Sequence, residues 1–285
     1  MTGPSGLRRR RMARLRLRRG VFLIPSLLTT ANIYCGFASI IKAFEGEFRT
    51  AAILIIVAGL LDGVDGRIAR MTGGTSEFGG EYDSLADIVS FGLAPAFLVH
   101  VWGLVPLHRY GWVIAFFFMV CGAVRLARFN IQHQVSDRRW FVGLPIPMAA
   151  AALAGAVLVL RAPIADKRLS VAFGLVVVSL ALLMVSRFRY RSFKELDFRA
   201  RWPFRSVLVI VAIFAAVALN YRVAVLAISA VYVSSGPAIW VWSHFAADRR
   251  QDHGARTGKT AGPPAPAADG LGGSAPSKEF PSSAH

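Results

Sequence analysis

The chain has 285 residues, of which 55% are hydrophobic and only 17% charged, and its mean hydropathy is +0.50. That balance excludes an ordinary soluble domain and indicates an all-α bundle of membrane-crossing helices. Two cysteines give no disulfide or zinc framework, and the formal net charge of +17 must be read by position before it says anything about partners.

Residues 1–20 form a basic tail in which "LRRRRMARLRLRRG" places eight arginines ahead of the first apolar window. That window, 21–43, is too long for the apolar core of a signal peptide and lacks an obvious small-residue cleavage site, so it reads as a retained span. Further windows follow at 51–68, 84–104, 111–127, 145–161, 169–186 and 222–244. Each is close to the roughly 20 residues a helix needs to cross a bilayer. A shorter window at 206–219 would cross by tilting or by thinning the bilayer. The sequence thus predicts about eight transmembrane helices in a membrane domain at 21–245. A tail at 246–285, rich in Pro, Gly, Ala and Ser, is expected to be disordered.

The basic residues follow the connections between these windows. Seven Lys or Arg fall in 187–205 and four in 125–140. With eight spans these stretches and both tails lie on one side, which the positive-inside rule makes the cytoplasm of a cell (inner) membrane. The arginines then set topology and attract anionic lipid head groups, and no nucleic-acid partner is expected.

The acidic residues break the pattern. "LLDGVDGRIARMTGGTSEFGGEYDSLADIV", residues 60–89, places aspartates at the ends of two apolar segments. Asp62, Asp65, Gly66 and Ala69 stand at i, i+3, i+4 and i+7, one face of a helix; Gly79, Asp83 and Asp87 are spaced by four, again one face. Joined by a short Gly-rich turn, the two faces can bring four carboxylates together. Such a cluster beside a low-dielectric region requires cations. All-oxygen ligands select hard divalent ions such as Mg²⁺, Mn²⁺ or Ca²⁺ over zinc. Gly66 and Ala69 leave a hollow beside the carboxylates and Arg70 adds a cation at its rim, a combination suited to a phosphate or pyrophosphate.

The spacing Asp62-x-x-Asp65-Gly66-x-x-Ala69-Arg70, eight residues, Gly79, three residues, Asp83, three residues, Asp87 matches every fixed position of the CDP-alcohol phosphatidyltransferase signature. "PSLLTTANIYCGFASI", "RLARFNI", "FVGLPIP" and "YRSFKELD" are similar to the integral-membrane phosphatidylserine synthase branch of that family, over roughly residues 22–200. One departure is Ser26, where the family commonly has Asn after Pro25.

The resemblance implies transfer of the phosphatidyl group of CDP-diacylglycerol to L-serine, with CMP leaving. It implies two divalent ions, Mg²⁺ or Mn²⁺, on Asp62, Asp65, Asp83 and Asp87, with Asp87 also accepting the proton of the attacking hydroxyl. Gly66, Arg70 and Ser76 resemble the contacts to CDP-diacylglycerol, with Thr29 and Asn32 of the first span as additions. Family members commonly pair as homodimers. These roles agree with general chemistry: an alcohol needs a nearby base to take its proton, and the cluster offers no Ser/His or Cys/His nucleophile pair, which favours direct displacement.

A serine carboxylate calls for a cation, and Arg125, Arg128 and Lys194 are the candidate acceptor contacts. Each is equally readable as an interfacial anchor near lipid phosphates. Composition alone does not separate serine from glycerol phosphate or inositol phosphate. A divalent-cation transporter is a remote alternative, disfavoured because all four aspartates lie near one side.

Overall fold

Long apolar stretches fold as helices where lipid offers the backbone no hydrogen-bond partner. The computed structural model describes residues 26–72, 77–132, 140–160, 162–186, 188–191 and 220–238. Helix α1 is Ser26–Phe44. The chain reverses through Gly46, whose φ of +82° is open to glycine at little cost, and enters α2, Phe48–Thr72. Lys42 lies at the same turn and pairs with Glu45 at 2.8 Å and Glu47 at 3.1 Å.

The next apolar stretch is helical from Phe78 to Leu107, but it is not one regular helix. It begins as α3, Glu77–Asp87, widens into a π-helical segment at Ile88–Leu93, and tightens into α4, Ala94–Val99. Pro95 stands in the first turn of α4 and has no N–H to donate; just ahead of it the Ala94 N–H reaches back to the Val89 carbonyl. A second π segment, His100–Leu104, runs into a 3₁₀ turn at Val105–Leu107, and the chain reverses at His108 with φ of +50°. Then come α5 (Arg109–Gln132), α6 (Ile146–Leu160), α7 (Lys167–Val185) and α8 at 220–238. The side chain of Asp166 caps α7 by accepting from the Arg168 N–H at 3.2 Å.

The all-α expectation holds, with one small addition. β1, Trp140–Val142, and β2, Arg189–Arg191, pair antiparallel in the register Trp140↔Arg191, Phe141↔Tyr190, Val142↔Arg189. Gly143 follows β1 with φ of +86°; its N–H donates to the Phe188 carbonyl at 2.8 Å, and a Cβ there would collide with the Met184 carbonyl oxygen. The ribbon thereby ties the start of α6 to the end of α7.

Four helical stretches among the described residues are long and apolar enough to cross a membrane: Ser26–Phe44, Phe78–Leu107, Arg109–Ile131 and Lys167–Val185. The windows at 51–68 and 145–161 fall on α2, which carries the acidic motif, and on α6, whose 15 residues span only about 22 Å. The window at 222–244 begins on α8, and 206–219 lies outside the described residues, as do both tails.

Helix α5 packs along α7, and α2 along α6. Phe118, Leu153, Val177 and Met184 are buried at the centre. One end of the bundle gathers the end of α2, the start of α3, the end of α5 and the ribbon. The opposite end holds the α1–α2 turn and the approach to α7, where the Ile164 N–H donates to the Trp102 carbonyl at 3.0 Å. Helix α8 starts at this opposite end, because Arg49 Nη2 donates to the Tyr221 hydroxyl at 2.7 Å.

Candidate active site

The helical period of α2 turns Asp62 and Asp65 the same way, and that of α3 aligns Asp83 with Asp87. Carboxylate oxygens of Asp62, Asp83 and Asp87 lie within 4.8 Å of one another. Asp65, 3% exposed, lies beside this trio, within electrostatic reach of Asp62 and Asp83. It accepts a hydrogen bond of 3.3 Å from Thr29 Oγ1 of α1. Oδ1 of Asp83 and Oδ1 of Asp87 are buried without a hydrogen-bond partner. Carboxylate oxygens left in that state are costly unless a cation completes them. The trio could hold a divalent metal ion, and the donor set is all oxygen.

Other helices frame the carboxylates. Asn32, three residues along α1 from Thr29, is fully buried, and neither its Oδ1 nor its Nδ2 has a partner. Its backbone carbonyl accepts from Ser90 Oγ at 2.9 Å, just past Asp87. Tyr82 and Thr30 share a hydroxyl–hydroxyl contact of 3.0 Å between α3 and α1. On the α5 side, Asn130 Nδ2 donates to Ser84 Oγ at 2.9 Å, and Ser84 Oγ donates to the Gly80 carbonyl. The helix bearing Asp83 and Asp87 is thus held from two sides by polar contacts.

Arg125 of α5 is 8% exposed, with its guanidinium 5.2 Å from the centre of the Phe129 ring. It lies within electrostatic reach of Asp87 and Asp62, and its Nε is buried without a partner. Arg128, one turn further, is half-buried. Gly66 sits half-buried on α2 between Asp65 and Arg67. Arg70 lies in the last turns of α2. Ser76 and Lys194 lie outside the described residues.

Comparison with known proteins bears directly on this cluster. The sequence model of the CDP-alcohol phosphatidyltransferases matches residues 22–185, more than half of the chain and all four aspartates. The chain belongs to the CDP-alcohol phosphatidyltransferase family. It is similar to a CDP-diacylglycerol–serine O-phosphatidyltransferase of Helicobacter pylori (strain J99), 34% identical over 229 residues, covering 78% of this chain and 92% of the relative. A protein of the same name from Mycobacterium leprae is 41% identical over 150 residues, half of each chain. An archaetidylserine synthase of Methanothermobacter thermautotrophicus is 34% identical over 169 residues, covering 59% of this chain and 69% of the relative.

Within the CDP-alcohol phosphatidyltransferase stretch, the residues that brace the aspartates lie outside the fixed positions of the signature. Ser84 is adjacent to Asp83, and Asn130 lies in "RLARFNI", so both stood beside recognised positions. Ser90 carried no signal, because its partner is a backbone carbonyl on another helix. Thr29, expected at the nucleotide, donates to Asp65 at 3.3 Å.

Proposed function

We propose that this protein transfers the phosphatidyl group of CDP-diacylglycerol to the hydroxyl of L-serine, giving phosphatidylserine and CMP. The observation that carries the reading is the grouping of Asp62, Asp83 and Asp87 within 4.8 Å in a chain of this family. The names of the relatives supply the acceptor.

Asp62, Asp65, Asp83 and Asp87 would hold two divalent ions, Mg²⁺ or Mn²⁺. When bound, such ions supply positive charge against the phosphoryl oxygens and the departing CMP phosphate. Asp87 takes the proton of the serine hydroxyl as its oxygen bonds to phosphorus and the bond to the CMP oxygen breaks. Thr29 orients Asp65 through their hydrogen bond. Gly66, Arg70, Ser76 and the buried amide of Asn32 serve CDP-diacylglycerol. Arg125, Arg128 and Lys194 serve the acceptor, and Arg125 has the strongest support, being buried beside Asp87 with a donor unused.

We also propose that the membrane domain spans 21–245, crosses the cell membrane eight times and pairs as a homodimer, with the aspartates and both tails cytoplasmic. The positions of the helix ends support that count. Arg191 lies in the ribbon at the aspartate end, whereas Tyr221 lies beside Arg49 at the opposite end.

Purified protein supplied with CDP-diacylglycerol, Mg²⁺ or Mn²⁺ and a panel of serine, glycerol phosphate and inositol phosphate tests the reading by the lipid formed. Phosphatidylserine is expected. A different phospholipid would overturn the acceptor, and no CMP release with any alcohol would overturn the transferase.

A further inference from the structure

Helix α3 carries Asp83 and Asp87 but has little apolar packing to hold it. Phe78, Glu81 and Leu85 are exposed, and among its described residues only Ala86 and Asp87, in the last turn, are buried. A helix of 11 residues so placed is anchored by burial at one end alone. The remaining restraint is polar, and it falls on the two chain neighbours of Asp83. Tyr82 meets Thr30 Oγ1 of α1 at 3.0 Å, and Ser84 Oγ meets Asn130 Nδ2 of α5 at 2.9 Å.

A hydroxyl has one proton to give, which settles the direction of both bonds. Thr30 Oγ1 donates to the Ser26 carbonyl at 2.7 Å, so Tyr82 is the donor to Thr30. Ser84 Oγ donates to the Gly80 carbonyl at 2.9 Å and accepts from Asn130. Each tether therefore ends on a helix carbonyl, which fixes the hydroxyl it passes through. The Tyr82 ring is held as well, stacked on Phe78 with centroids 5.9 Å apart and planes 9° from parallel. Asp83 has no such restraint of its own at Oδ1, which is buried without a hydrogen-bond partner, so the position of α3 decides where that oxygen points.

We propose that Tyr82 and Asn130 are positioning residues for the metal ligand that lies between their tethers: the two hydrogen bonds, one to α1 and one from α5, hold Asp83 where its carboxylate can share a divalent ion with Asp62 and Asp87. The inference rests on the metal part of the reading above and does not depend on which alcohol is the acceptor. It assigns the affinity for the ion partly to side chains that touch no ion.

Binding of Mn²⁺ to the purified full chain, followed without substrates by electron paramagnetic resonance of the free ion, tests it alongside the metal-free melting temperature. Tyr82→Phe and Asn130→Ala should each weaken Mn²⁺ binding about tenfold or more, the scale of a partner lost from behind a ligand. Their metal-free melting temperatures should fall by only about 2–4 °C, the scale of one lost hydrogen bond. Thr30→Val and Ser84→Ala cut the same tethers from the other side; they should reproduce the losses, and they carry the test if either first variant fails to fold. Ser84→Thr keeps the hydroxyl and should restore binding. Tyr221→Phe removes an interhelix bond to Arg49 at the opposite end, and should cost melting temperature without moving Mn²⁺ binding. Unchanged Mn²⁺ binding when either tether is cut, equal weakening by Tyr221→Phe, or a Ser84→Thr variant no better than Ser84→Ala would overturn the assignment while the metal reading stands. No Mn²⁺ binding by the wild type would overturn that reading, and the positioning role with it.

Discussion

Asp83 and Asp87 each keep one buried oxygen without a hydrogen-bond partner, and that fixes what a conservative change should do. Asp→Asn keeps the shape and removes the charge, so Asp62→Asn or Asp83→Asn should still insert and fold but lose turnover by about 100-fold or more, beyond the roughly 10- to 100-fold typical of changes behind the ligands. Titrating Mg²⁺ against phosphatidylserine formation checks this; near-normal turnover at saturating metal for either variant would remove that residue from the ligand set. Thr29 stands one step back, donating to Asp65 at 3.3 Å. Thr29→Val should therefore raise the half-saturating Mg²⁺ concentration about tenfold or more while leaving maximal turnover largely restored by excess metal. A metal titration indistinguishable from wild type would reduce Thr29 to packing. All four aspartates were legible in the sequence because helical period alone places them on two faces. That Asp65 stands beside the other three, bonded to α1, depends on helix packing, which no local spacing encodes.

At the scale of elements, α1 and the π segment after Asp87 meet closely. A Cβ on Gly36 would fall 2.6 Å from Ser90 Oγ and 2.8 Å from Ser90 Cα, so Gly36→Ala must push the helix carrying Asp87 aside. Overpacking of this kind costs about 1–3 kcal/mol. The expected outcome is a lower melting temperature in detergent together with reduced turnover. Ser90→Ala, which loses only the bond to the Asn32 carbonyl, should be milder, and adding it to Gly36→Ala should rescue little, because the clash with Ser90 Cα persists. Full rescue by the double variant would place the conflict on the hydroxyl alone. The apolar windows foretold where α4 and α5 would run, since a helix that crosses lipid must be apolar over about 20 residues. The π segments were not legible: Pro95 marks a break in backbone bonding, but whether a helix kinks, ends or widens there is decided by its neighbours. The ribbon was hidden too, because "RYR" and "WFV" have three residues each, too few for a period of two to be told from chance.

For the whole molecule, charge pattern and helix direction make the same demand. In the proposed orientation the arginine-rich connections and the aspartate end of the bundle face the cytoplasm, as the positive-inside rule asks. Helix α1 starts at that end, where Thr29 meets Asp65, and α8 runs toward it from Tyr221 to Tyr232. Both free cysteines, Cys35 and Cys121, are buried, so the native chain should give little background to a membrane-impermeant thiol reagent. Glu45, in the turn between α1 and α2, and Met71, exposed near the end of α2, mark the two ends. In intact cells, Glu45→Cys should label and Met71→Cys should not; after permeabilisation both should label. Glu45 is preferable to Gly46 for this purpose, because a side chain at φ of +82° would strain the turn being probed. Labelling of Met71→Cys alone in intact cells would invert the bundle and put the carboxylates on the face away from cytoplasmic serine and CMP, and with that the proposed reaction would lose its soluble substrate.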